Sequence, residues 1–143
     1  MLAYLARCPG DSCANWDGKG AVWFKIAQVG LVPEAVDMCK GWSWVQADMD
    51  NPYNGRPDGW EVQIPRNLKK GAYLIRHEII MLAANPAQFY PNCAQLMVSG
   101  DGDRLPKEEE LVSFPGAYKS TGTSLTYPNL QFDCSNKLYR SRN

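Results

Sequence analysis

The residues best equipped for chemistry lie close together between positions 73 and 93. They run Tyr73-Leu74-Ile75-Arg76-His77-Glu78-Ile79-Ile80 and then Gln88-Phe89-Tyr90-Pro91-Asn92-Cys93. In a strand, alternate side chains point to opposite faces. Tyr73, Ile75, His77 and Ile79 then share one face, and Leu74, Arg76, Glu78 and Ile80 share the other. His77, the only histidine of the chain, sits among apolar neighbours. A histidine so placed is commonly a core residue held by a polar neighbour. Arg76 and Glu78 sit together on the opposite face.

Other chemistry is thinly represented. The sequence has no phosphate-binding glycine loop, no Gly-x-Ser-x-Gly elbow and no pair of histidines for a zinc or copper site. Cys8 and Cys13 enclose Pro-Gly-Asp-Ser, and no second close pair exists to complete a zinc knuckle. A local disulfide or two free thiols both fit that spacing. Asp101 and Asp103, or Glu78, could serve as the paired carboxylates of a glycoside hydrolase. Asp101-Gly102-Asp103 is also ordinary turn chemistry. Trp16, Trp42, Trp44 and Tyr53 could stack on sugar rings, whereas Trp23 and Trp60 fall on strand patterns and read as core.

The elements that must position these groups are strands. Met1 to Arg7 is short and apolar, and 21–27 is β-branched and aromatic after a turn at Asp17-Gly18-Lys19-Gly20. Residues 60–64 alternate with period two and stop at Pro65. Residues 72–82 form a longer strand, and 94–98 another, closed by Ser99-Gly100-Asp101-Gly102. Helix signals are poor. A turn or two is expected at 33–39, and a solvated loop at 106–112, where Glu108-Glu109-Glu110 lies. Residues 43–58 read as a long irregular loop and 121–143 as a polar, divergent tail. With no linker in view, 1–143 is expected to be a single domain. The pattern predicts an all-β, antiparallel, immunoglobulin-like β-sandwich with long loops. About five recognisable strands fall short of the roughly seven to nine of such a fold, so the sandwich is expected to be partial.

Composition narrows the class. The 143 residues hold 15 basic and 15 acidic side chains, for a net charge of zero, which argues against nucleic acid as a partner. No apolar run approaches the ~20 residues of a membrane helix, so no membrane partner is expected either. Five Cys, ten Pro and twelve Gly suit a loop-rich secreted protein. A cytosolic protein with free thiols is the other reading, because residues 1–8 lack the basic region and length of a signal peptide. Five is odd, so at least one cysteine lacks an intrachain partner.

Residues 71–80 (GAYLIRHEII) and 87–96 (AQFYPNCAQL) closely resemble the fungal lytic polysaccharide monooxygenases of auxiliary activity family 9. Residues 2–11, 23–26, 60–68 and 112–118 fit the same family in the same order. The resemblance covers about residues 1–120. It implies a secreted, copper-dependent β-sandwich enzyme that oxidises glycosidic carbons in cellulose or a related β-linked polysaccharide. In that family, copper is held by a brace made from an N-terminal histidine and a second histidine, with a tyrosine at the axial position. By resemblance, Tyr90 matches the axial tyrosine. His77 and Gln88 match a histidine and a glutamine that hydrogen-bond the oxygen species. Cys93 matches a cysteine whose disulfide partner belongs to a preceding part of the domain. Cys39 and Cys134 match no family position.

Two departures matter. Neither brace histidine has a counterpart, since His77 is the single histidine and its matching role is not that of a ligand. Copper(II) favours several imidazole or amine nitrogens, so copper is expected to bind weakly or not at all, and oxidative activity to be absent. The tail also departs from the family pattern, leaving Tyr127 and Tyr139 both open as the tyrosine of the flat substrate surface. The expectation is an N-terminally truncated form of the family's domain, of low stability or self-associating through exposed strand edges. A non-oxidative polysaccharide-binding module is the alternative, and a carboxylate-dependent hydrolase a more distant one.

Overall fold

A computed structural model describes residues 1–30, 45–49, 59–81, 84 and 86–118. The chain divides into two units, Met1–Val29 with Glu61–Thr126, and Gly30–Trp60 with Tyr127–Asn143. The first unit carries the sheet. In the second, the short helix α1 (Val45–Met49) follows a backbone hydrogen bond from Val45 to the Gly30 carbonyl. The sequence reading had placed 43–58 in a loop. The helical residues fall within it, and the turn expected at 33–39 and the tail at 121–143 lie outside the described residues.

Five strands form one antiparallel sheet: β1 (Leu2–Arg7), β2 (Ala21–Gln28), β3 (Gly71–Met81), β4 (Gln88–Val98) and β5 (Val112–Ser113), in the order β4-β3-β1-β2-β5. The strands form because their apolar residues alternate to supply both faces of the sheet. On one face Leu5, Phe24 and Tyr73 pack with Leu68, and Ile75, Leu96 and Val98 join them. On the other, Tyr4, Ala6 and Trp23 pack with Leu74, Val112 and Phe114. Trp23 donates its indole N–H to the Gly18 carbonyl at 2.8 Å, so it is a core residue.

Three local expectations need correction. Residues 60–64 alternate in exposure but pair with no strand among the described residues. Ile64 packs onto the sheet, and Pro65 turns the chain toward an isolated bridge between Leu68 and Arg104. The strand expected at 94–98 begins instead at Gln88 and runs through Pro91. Because β4 is the edge of the sheet that the described residues form, the missing Pro91 N–H can face away from the β3–β4 ladder. The acidic run at 108–110 is a 3-10 turn rather than an open loop, closed by the Glu110 carboxylate accepting from Lys107 N at 2.7 Å.

Candidate functional site

Strands β3 and β4 form a hairpin in unbroken register, with His77 opposite Asn92, Ile79 opposite Tyr90 and Met81 opposite Gln88. Residues opposite one another share a face, and alternate residues along each strand do too. His77, Gln88 and Tyr90 therefore lie on one face of the hairpin, at its connected end. The apolar neighbours expected for His77, namely Tyr73, Ile75 and Ile79, share that face. Tyr90 sits diagonally across from His77, roughly 7–8 Å away by ordinary sheet geometry. Its phenol O–H donates to Gln88 Oε1 at 2.6 Å. Gln88 accepts this bond through its carbonyl oxygen. Its amide nitrogen has no partner among the described residues and stays available as a donor. Tyr90 is 53% exposed, while His77 is half-buried. One face of the hairpin thus carries an imidazole, an amide and a phenol, the last two exposed and hydrogen-bonded to each other.

Beneath it, the other face of β3 holds a buried charge network. Glu78 is fully buried and forms an ion pair with Arg76. The Tyr118 hydroxyl donates to Glu78, and its oxygen lies 3.1 Å from the Tyr4 hydroxyl. The Phe114 ring lies 4.3 Å from the Arg76 guanidinium carbon, and Phe89 stacks on Tyr118 at 4.9 Å. Arg76 Nε is buried with no hydrogen-bond partner. Burial pushes the Tyr118 phenol well above the ordinary tyrosine value, and its hydrogen bond to the Glu78 carboxylate pushes it further. Burial raises Tyr4 as well, partly offset by Tyr118. The network pins β3 from below, so that His77 projects from a strand that cannot easily rotate.

The remaining candidates scatter. Glu78 is committed to Arg76 and Tyr118 and is closed to solvent, which removes it as a hydrolytic acid or base. Asp101 and Asp103 follow β4 at its far end, roughly 23 Å of strand from Pro91, the residue opposite Glu78. Cys8 and Cys13 are joined by a disulfide with Cα atoms 5.2 Å apart. It lies beyond Arg7, which pairs with Tyr73 at the end of β3 remote from the site. Trp16, half-buried, packs against the cluster of Tyr4, Ala6 and Trp23 and against that of the disulfide. Trp42, Trp44 and Tyr53 lie outside the described residues. The sequence reading missed Tyr4, Phe114 and Tyr118, whose partnership spans 114 residues and leaves no local signal.

As a copper site the donor set does not fit. It offers one imidazole, one amide and a phenol whose proton is engaged by Gln88. No three His, Cys, Asp or Glu side chains converge among the described residues. The Met1 amino group is part-buried rather than exposed. It donates to the Val29 carbonyl at 2.7 Å, and burial lowers its pKa.

The profile of Auxiliary Activity family 9 (formerly GH61) matches residues 1–139. The chain belongs to this family. A family 9 lytic polysaccharide monooxygenase-like protein from Agaricus bisporus is 41% identical over 126 residues, covering 88% of this chain and 37% of the relative. Family 9 monooxygenase A of Thermothelomyces thermophilus is 42% identical over 126 residues, covering 85% of this chain and 49% of the relative. The crystal structure of a cellulose-active polysaccharide monooxygenase from M. thermophila superposes with a TM-score of 0.71 at 33% identity, over 87% of this chain and 55% of that one. An extended catalytic domain of a family 9 enzyme from H. jecorina gives 0.66 at 34% identity, over 87% and 47%. These structures are β-sandwiches, the architecture expected from the strand pattern, of which the described residues form one sheet. The chain thus spans about half, or less, of the family 9 relatives it matches.

Proposed function

We propose that this chain is a polysaccharide-directed, secreted member of family 9 whose own residues do not sustain copper-dependent oxidation, and that residues 1–143 are one portion of that domain. The observation that carries this reading is the single-faced cluster of His77, Gln88 and Tyr90, with no second histidine in the sequence. Its amide and imidazole suit hydrogen bonding to a small oxygen ligand or a sugar hydroxyl. Tyr90 holds the position of the family's axial tyrosine, and His77 and Gln88 those of its hydrogen-bonding pair. Cellulose or another β-linked polysaccharide is the substrate class, after the cellulose-active structural relative.

Titration with copper(II), followed by calorimetry and EPR, tests this directly. Weak binding without a nitrogen-rich tetragonal spectrum is expected, together with retention on cellulose and no reductant-dependent oxidised products. Tight one-to-one binding with that spectrum, or oxidised sugar ends formed only with reductant, would overturn it in favour of a complete monooxygenase. Reducing ends released without reductant would point to hydrolysis instead.

A further inference from the structure

We propose that residues 112–118 form a strap across the sheet whose last residue, Tyr118, positions Gln88 and Tyr90 by holding the ring of Phe89. The inference rests on the reading of His77, Gln88 and Tyr90 as a polysaccharide-contacting face, and it adds the residues that set the shape of that face.

The strap starts on the far side of the sheet. β5 pairs with β2, and β1 and β3 separate β2 from β4. Ala117 N donates to Ser113 O at 2.7 Å, which turns the chain just after β5. From there aromatic rings carry it across one sheet face. Phe114 meets Trp23 of β2 at 6.1 Å and Tyr4 of β1 at 4.9 Å, both edge to face. Its ring also lies against Arg76 of β3. Tyr118 continues the line. Its hydroxyl lies 3.1 Å from that of Tyr4 and donates to Glu78 of β3. Its ring stacks on Phe89 of β4, with centroids 4.9 Å apart and planes 22° apart. One short segment thus touches each of the other four strands.

The last of these contacts falls at the site. Phe89 stands between Gln88 and Tyr90, so its side chain leaves the opposite face of the strand. It pairs with Ile80, and Pro91 pairs with Glu78, which puts Phe89 on the face of the buried network. Gln88 ends the ladder, opposite Met81, and element ends open most readily. The bond between Tyr90 and Gln88 orients these two side chains relative to each other. The stacked ring behind them gives this end of β4 a second anchor besides the ladder, with a preferred geometry as well as apolar contact. Polar groups that meet a ligand need such support from the layer behind. Tyr118 and Phe89 touch no ligand themselves and are positioning residues. None of their contacts depends on an open surface.

Two measurements on the full chain test the strap: cellohexaose binding by calorimetry, and the order parameter of the Gln88 side-chain amide by nitrogen relaxation. Phe89→Leu keeps an apolar residue but removes the stack. It should raise the dissociation constant at least about threefold and lower the order parameter. Tyr118→Leu should do the same, whereas Tyr118→Phe, which keeps the ring, should retain most of the affinity. A merely structural role would lower the urea midpoint and leave both readouts of the folded protein in place. In a Gln88→Ala background, Phe89→Leu should cost less affinity than in the native chain, because its effect runs through Gln88. Should Tyr118→Leu fail to fold by circular dichroism, Phe89→Leu carries the same readouts. Unshifted affinity and order parameter in the folded variants, or an equal loss in the Gln88→Ala background, would overturn the positioning role and leave the polysaccharide reading standing. A native chain that does not bind cellohexaose would overturn that reading instead. The order parameter then decides the strap, a fall in Phe89→Leu supporting it and no change removing it.

Discussion

Tyr118 donates a hydrogen bond to Glu78 across 40 residues of sequence, and the same carboxylate is ion-paired with Arg76. Both of Glu78's oxygens are thus used, Oε1 by the phenol and Oε2 by the guanidinium. A fully buried carboxylate is tolerable only in such company. Glu78→Gln keeps the volume but leaves the largely buried Arg76 guanidinium with its charge uncompensated. It is expected to cost about 3–5 kcal/mol, read by urea denaturation. A loss below about 1 kcal/mol would mean that Arg76 finds solvent. Tyr118→Phe, which removes one hydrogen bond to a charged group, should cost less, about 1–3 kcal/mol.

The same contact sets an alkaline limit. Tyr118 and Tyr4 are both shifted above the ordinary tyrosine value of 10.0, first by burial. A raised folded-state pKa means that the unfolded chain ionises first as pH increases. The stabilising contribution is therefore fully present below about pH 10 and is lost above it. Stability curves taken from about pH 9 to about pH 11 should fall, and Tyr118→Phe should fall less steeply. Parallel curves for the two proteins would remove Tyr118 as a cause.

A third expectation concerns close backbone packing away from the site. A Cβ at Gly102 would lie 2.2 Å from the Leu68 carbonyl oxygen and 2.6 Å from the Asn67 carbonyl carbon. Those atoms are backbone and cannot swing aside. The approach is fixed by Arg104 N donating to Asn67 O at 2.9 Å and Lys69 N to Arg104 O at 2.8 Å. Gly102→Ala should cost about 1–3 kcal/mol in thermal or urea unfolding. An unchanged midpoint would show that this crossing relaxes freely.

Disulfide removal acts through a different route. The Cys8–Cys13 bridge closes a short loop, so its effect on the unfolded chain is modest. Replacing both cysteines with serine should lower stability by about 2 kcal/mol from loop entropy. Both thiol positions are buried against Ala72, Trp16 and Leu74, so the hydroxyls add a desolvation cost. A shift below about 0.5 kcal/mol would mean that the loop is already restricted when unfolded.

Period-two alternation made β1, β2 and β3 legible, and it placed His77 and the Arg76–Glu78 pair on opposite faces correctly. It failed at 60–64 because alternation reports which side chains face a core, not whether the backbone has a partner. Ile64 reaches the sheet, yet no strand pairs with its segment among the described residues. The start of β4 was hidden by Pro91, a residue that breaks interior strands but sits comfortably on an edge. The 3-10 turn at Glu108–Glu110 was masked by its acidity, because the bond that closes it runs from Glu110 back to Lys107 N. Tyr118 could not be read at all. Its importance comes from tertiary contacts with Glu78 and Tyr4, and no local spacing encodes them.

The surface pair at the candidate site should behave oppositely to the buried network. Tyr90 and Gln88 are exposed, and their 2.6 Å hydrogen bond competes with water at both ends, so its net value is small. Tyr90→Phe and Gln88→Ala should each change stability by no more than about 0.5 kcal/mol. If so, the fold does not require these residue types, and a ligand outside the protein is the remaining reason for a phenol and an amide to meet there. His77→Ala, on the same face but half-buried, should cost more, because truncating a half-buried ring loses more packing than altering an exposed side chain. Urea denaturation of the three variants decides the matter. A loss above about 1 kcal/mol for Tyr90→Phe or Gln88→Ala would make the pair a structural clasp of the hairpin and weaken its assignment as a binding site.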